Sequence, residues 1–189
     1  MNILTLPECL NVGGADRAIL SDWRPCFSIM QILERPDLLH HEQLQIIAGI
    51  LYEDEIEDQC WYEAVDKAMW FLDGGDVQDQ KSQSGGVVRL YSWEQDARYI
   101  IAAVDRVLGR SCRSVEYLHW WDFLSAFMEI GDCTFSTLVH QRRLKKKHKQ
   151  SREDKEWWAE NREIAELKIE VSLDADEQAA LNRFHSLLG

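Results

Sequence analysis

Residues 115–130 read VEYLHWWDFLSAFMEI, bounded by Ser114 and Gly131. Wound as a helix, this stretch spreads Val115, Leu118, Trp120, Trp121, Phe123, Leu124 and Phe127 around most of its circumference. A helix that is apolar on nearly every side is buried on nearly every side. The spacing therefore predicts a central helix over 115–130, capped at its start by Ser114, with the rest of the chain packed around it.

Working outward, the punctuation favours helices. All three prolines, Pro7, Pro25 and Pro36, lie in the first 36 residues. A long stretch without proline suits helices better than turn-rich sheet. From Pro36, at a first-turn position, the residues Leu39, Ile46, Ile47, Ile50 and Leu51 recur at helical spacing. A second helix is expected from about Glu55 to Leu72, ending at Asp73-Gly74-Gly75, where glycine enters the left-handed region without a Cβ clash. Ser92 and Gln95 form a capping-box pattern for a helix through Ile100 and Val104 to Gly109. Thr134 opens another, in which Leu138 and Val139 give way to QRRLKKKHKQSR. Asp174 and Glu177 imitate a capping box for a last helix carrying Leu181, Phe184 and Leu188.

The fold class expected is all-α, a compact helical domain with a more extended helical C-terminal region. Residues 1–35 read as a weakly structured N-terminal arm, with a short hairpin as the alternative for the first two dozen. Residues 36–141 read as the helical core, interrupted by a flexible loop at 73–86. Residues 142–189 read as a basic-then-acidic helical extension.

With 189 residues, 46% of them hydrophobic, the chain has enough apolar material for a sizeable core. No apolar run approaches the ~20 residues of a membrane span, and no secretory signal pattern is visible. The five cysteines are widely spaced without a CxxC pair, which reads as buried thiols of a cytosolic protein.

The catalytic patterns in the sequence are incomplete. Glu116-x-x-His119 matches one half of a carboxylate-bridged metal site, but such sites need a second full motif, and Asp37-x-x-His40 offers the wrong acid. His119 and Asp122, three apart, form an ordinary helical contact. There is no nucleophile elbow and no phosphate-binding loop. Asp73, Asp76 and Asp79 miss the alternation of a calcium loop. The expectation is a protein that is not an enzyme, with no catalytic residues, metal or cofactor.

Charge is more informative. The net charge is −12, yet residues 142–155 hold eight bases and two acids. This island, with Arg142, Arg143, Lys145, Lys146 and Lys147, is either a solvated helix end or a binding surface. An acidic protein partner fits better than nucleic acid, because the acidic body repels phosphate backbones. Trp157 and Trp158 follow the island, and Trp157, Ile164 and Leu167 recur in a narrow, heptad-like stripe. Tryptophan anchors interfaces efficiently, so these residues join the partner-binding candidates.

The string Tyr117-Leu118-His119-Trp120-Trp121-Asp122-Phe123, followed by Phe135 and Arg142/Arg143 and preceded by Asp96, Ile100 and Gly109, resembles the phage gene-product-fifteen family. The likeness spans roughly residues 30–168 and is sharpest over 90–145. The family consists of small helical proteins encoded among the tail genes of long-tailed phages. The resemblance implies a tail assembly chaperone that binds the tape-measure protein, keeps it soluble until tail-tube subunits polymerise, and is absent from the finished virion. It places the protein in the cytoplasm of the infected host, with the tail-tube protein and a second copy of itself as further partners. The motif residues His119, Trp120, Trp121 and Phe123 are assigned to the core. The competing readings are a structural tail protein and a helical nucleic-acid-binding regulator using residues 142–155.

Overall fold

A computed structural model describes residues 5–75 and 89–168. The chain begins with an antiparallel hairpin, β1 (Cys9–Val12) and β2 (Ala15–Ala18), in which Val12 faces Ala15 across the turn. Gly13 and Gly14 make that turn at φ of 62° and 79°. Two successive positive φ values suit the type I′ geometry of a tight hairpin, and glycine adopts them at no steric cost. Leu10 and Val12 bury the inward face of β1.

Eight α-helices follow among the described residues: α1 (Trp23–Ile32), α2 (His40–Leu51), α3 (Trp61–Leu72), α4 (Ala97–Leu108), α5 (Trp120–Met128), α6 (Thr134–Lys146), α7 (Arg152–Glu160) and α8 (Arg162–Ala165). The protein is predominantly α, as the sequence indicates, with the one small sheet added. The weakly structured arm does not hold for residues 5–35. Asp22 caps α1 by accepting from the Arg24 N–H, and Trp23, Cys26, Phe27 and Ile29 of α1 are buried. Pro25 sits in the first turn of α1, where its missing N–H costs nothing.

The central helix is shorter than its apolar pattern. Residues 115–118 are held out of the helix by contacts from α1 and its cap. The Arg24 Nη2 donates to the Val115 carbonyl at 2.6 Å, and the Leu118 N–H donates to Asp22 Oδ2 at 3.1 Å. The Trp23 N–H takes the Leu118 carbonyl, and the Trp120 N–H donates to Ser21 O. Those backbone groups are therefore satisfied across the fold and not along a helix, and α5 starts at Trp120 with His119, not Ser114, as its cap. Pro36 likewise lies ahead of α2, whose start is closed by Glu42 accepting from the Leu39 N–H.

Around α5 the core is aromatic. Phe123 stacks between Trp23 and Trp120, with centroids 5.1 and 5.5 Å away and planes within 11°. Trp120 and Phe123 are fully buried, together with Phe71, Ile29, Leu51, Ile100 and Leu138. At the C-terminal end of α3, where helix carbonyls lack intrahelical donors, the indole N–H of Trp120 donates to Leu72 O and that of Trp121 to Phe71 O. Gly74 and Gly75, at φ 77° and 84°, turn the chain away there. The remainder of the expected 73–86 loop, from residue 76, lies outside the described residues, as does the helix expected around Leu181 and Phe184.

Candidate functional site

Helix α6 runs unbroken through residue 142, where the sequence suggested a boundary between core and extension. Its buried row is Phe135, Leu138, Gln141 and Arg142. Arg142 is thus not on the partner-facing surface. It is 5% exposed and opposes Asp96, at the start of α4, which is 0% exposed.

The pair is a two-pronged fork. Arg142 Nη1 donates to Asp96 Oδ2 at 2.6 Å and Nη2 to Oδ1 at 3.0 Å. The other donors are equally committed: Nε to Ala165 O at 2.7 Å, Nη2 to Ile164 O at 2.9 Å and Nη1 to Leu90 O at 3.2 Å. A guanidinium has five N–H donors, and all five are used. Asp96 Oδ2 also accepts the Ser92 N–H at 3.0 Å. Burying two charges is tolerable only when geometry and residual hydrogen bonding are this complete. Arg142 therefore ties α4, α6, the 89–92 segment and the end of α8 into one joint, and its side chain has no donor left for a partner.

Neighbouring side chains extend the joint. The Gln95 amide donates to Glu166 O and accepts the Lys168 N–H, at 2.7 and 2.9 Å. Glu34 accepts from Ser92 Oγ at 2.6 Å and from the Trp93 N–H at 3.0 Å. Grouping the basic island by charge hides this role, whereas helical phase reveals it. Arg142 falls in register with Phe135 and Leu138, and Asp96 with Ile100 and Val104, so each is a charge on an apolar face. Glu34 and Gln95 carry no such mark in the sequence.

The other partner-binding candidates divide. Arg143, Lys145, Lys146 and Lys147 are exposed and have no carboxylate partner within ion-pair distance among the described residues. Lys145 rests its ammonium 3.9 Å from the ring centroid of Trp158, a cation–π contact. Trp157 and Trp158 are half-buried, on a helix, α7, none of whose residues is fully buried. Ile164 and Leu167 are half-buried too. Leu167, Trp158, Lys145 and Lys146 share one cavity of about 310 Å³. The structure thus gathers most of the candidates at the end of α6 while removing Arg142 into the interior.

His119, Trp120 and Phe123 are buried in the core, and Trp121 is half-buried against it. The Trp121 N–H donates to His119 Nδ1 at 3.0 Å, so that nitrogen carries no proton, and Nε2–H donates to Pro7 O at 3.0 Å. Both ring nitrogens are taken, which leaves neither for a metal nor for Asp122, whose side chain is exposed. Among the described residues no three His, Cys, Asp or Glu side chains converge as a metal site, and no helix is long and apolar enough to cross a membrane.

A family model described as Bacteriophage Gp15 protein matches residues 4–167. No curated protein and no solved structure matches the chain.

Proposed function

The chain belongs to the Bacteriophage Gp15 protein family, and from that membership we propose that it is a non-catalytic tail assembly chaperone that binds the tape-measure protein in the cytoplasm of the infected host. The match over residues 4–167 carries this reading, because it takes in the whole described fold and not a single motif. The molecule is suited to the task in general terms. It carries a net charge of −12, which disfavours aggregation, and a cationic, partly apolar face on α6 of the kind that receives an amphipathic helix. Arg142 contributes by holding that face in place, and the remaining candidates, Arg143, Lys145, Lys146, Lys147, Trp157, Trp158, Ile164 and Leu167, lie on or beside it.

The test is co-expression with the tape-measure protein of the same genome, scoring its solubility and co-purification. The expected result is a soluble tape measure that co-elutes with the chain, and a chain missing from purified virions. A tape measure that stays insoluble and unbound would overturn the reading; recovery of the chain from purified particles would favour a structural tail protein.

A further inference from the structure

Three adjoining cavities form a trench beside α6. The first, about 550 Å³, is floored by Ile130, Phe135 and Val139 and edged by Arg143. The second, also about 550 Å³, shares Val139 and Arg143 with the first and continues over Tyr91 and Trp93. The third shares Arg89 and Leu90 with the second and ends at Lys145, Lys146, Trp158 and Leu167. The floor is mainly aliphatic and aromatic, with Ser136, Thr137 and His140 as polar members of the first cavity.

The charges along the trench are unevenly committed. Glu34 is engaged with Ser92 and the Trp93 N–H, and Glu166 with Arg162 at 3.0 Å. Asp132 stands at the far end. Arg143, Lys145 and Lys146 have no carboxylate within ion-pair distance among the described residues. A chain with a net charge of −12 thus presents, along one apolar furrow, cations that no carboxylate of the described residues contacts directly, with Glu166 nearby the acid that Lys145 feels.

We propose that this trench is the docking site for an acidic amphipathic helix of the partner. The helix would lay apolar side chains on Val139, Tyr91, Leu90 and Leu167 and present carboxylates to Arg143, Lys145 and Lys146. A helix fits because its backbone is satisfied internally, while the trench wall offers mainly side chains and the Leu90 carbonyl is already taken by Arg142. Charge complementarity selects an acidic helix over a basic one. Nucleic acid fits poorly, since a phosphate backbone carries a charge at every unit and has no continuous apolar face to lay on Val139, Leu90 and Leu167, whereas a helix confines its carboxylates to the side that meets Arg143, Lys145 and Lys146. The inference rests on the chaperone reading for the existence of a partner, but not for the chemistry of the site.

The test uses the full chain and two labelled designed peptides of about 20 residues, long enough to span ~30 Å as helices. Both carry leucine on one face; one carries glutamate and the other lysine on the opposite face. Anisotropy should show the glutamate peptide binding and the lysine peptide not. Its affinity should fall about tenfold between about 0.05 M and 0.3 M salt. The double variant Arg143→Glu/Lys146→Glu should weaken it by at least about tenfold with an unchanged melting temperature, whereas Lys67→Glu on exposed α3 surface should not. Equal binding of the two peptides, or unchanged binding by the double variant, overturns the proposal. So does displacement of the peptide by oligo-dT, which would indicate nucleic acid. Tighter peptide binding by a chain ending at Lys168 would assign the trench to residues 169–189, which hold four acids and one base. Co-expression with the tape measure separates the two readings. Copurification with wild type and double variant alike sinks the trench and spares the chaperone. Peptide binding without any copurification does the reverse.

Discussion

Replacing Arg142 by methionine tests whether the Asp96–Arg142 joint holds the fold. Methionine keeps much of the side-chain volume and removes all five donors. Asp96 is then left at 0% exposure with the Ser92 N–H, at 3.0 Å, as its remaining donor. The carbonyls of Leu90, Ile164 and Ala165 lose their donor as well. Stranding one member of a buried ion pair costs about 3–5 kcal/mol, a large share of the roughly 5–15 kcal/mol by which domains are stable. For a chain of 189 residues, at about 2–4 °C per kcal/mol, the melting temperature should drop by roughly 6–20 °C. Urea unfolding followed by far-UV circular dichroism and tryptophan fluorescence gives the free energy directly. Arg142→Lys should recover only part of it, because an ammonium has three donors and cannot grip a carboxylate two-pronged. Adding Asp96→Asn to Arg142→Met removes the stranded charge, so the double variant should be no less stable than Arg142→Met alone. A methionine variant within about 0.5 kcal/mol of wild type, comparable to an ordinary surface substitution, would refute the reasoning. Additive single-variant costs would refute it too, since contacting residues should couple.

Other outcomes follow from the core and its closures. Trp120→Ala should cost about 3–5 kcal/mol by leaving a large aromatic void, read in the same urea titration. His119→Ala removes the cap of α5 and orphans Pro7 O, together about 2–4 kcal/mol, and should loosen the N-terminal segment to limited proteolysis. Gly75→Ala forces a Cβ to 2.7 Å from Trp121 Cη2 at φ 84°, a strain plus overlap of about 2–4 kcal/mol. Ellman's reagent should modify exposed Cys9 in the native protein and spare Cys26 and Cys112 until denaturant is added. Burial pushes both thiols up, Cys112 to about 12 with help from its hydrogen bond to Asp105.

Much of this arrangement is written locally. The VEYLHWWDFLSAFMEI stretch marks the core because its apolar residues are too many for one face, and the glycines at 74, 75 and 109 end helices where backbone sterics require them. What escapes local reading depends on distant partners. The start of α5 is set by Arg24 and Asp22, about ninety residues upstream, so the periodicity of 115–130 alone overshoots it. The segment before residue 36 looks loose by its glycines and prolines, yet Leu10 and Val12 alternate along the strand that leads into a Gly-Gly turn, a short hairpin signal that only packing against α3 makes decisive. Arg142 is misplaced when charge density is weighed above helical phase, since its neighbours at 143 and 145–147 face solvent and it does not.

The bond between His119 and Pro7 spans 112 residues, and it sets an order of events on the ribosome. The acceptor is made first, and the imidazole that completes it arrives only after the four helices α1 to α4 have been made. At about 5–20 residues per second, residues 7–22 wait roughly 5–20 s for Leu118, His119 and Trp120. During that interval Trp23 and Phe27 of α1 lack Phe123 to pack against. The N-terminal segment is therefore the part of the nascent chain most in need of shielding, and slowing translation between residues 22 and 118 should lower the soluble yield more than slowing it after residue 146.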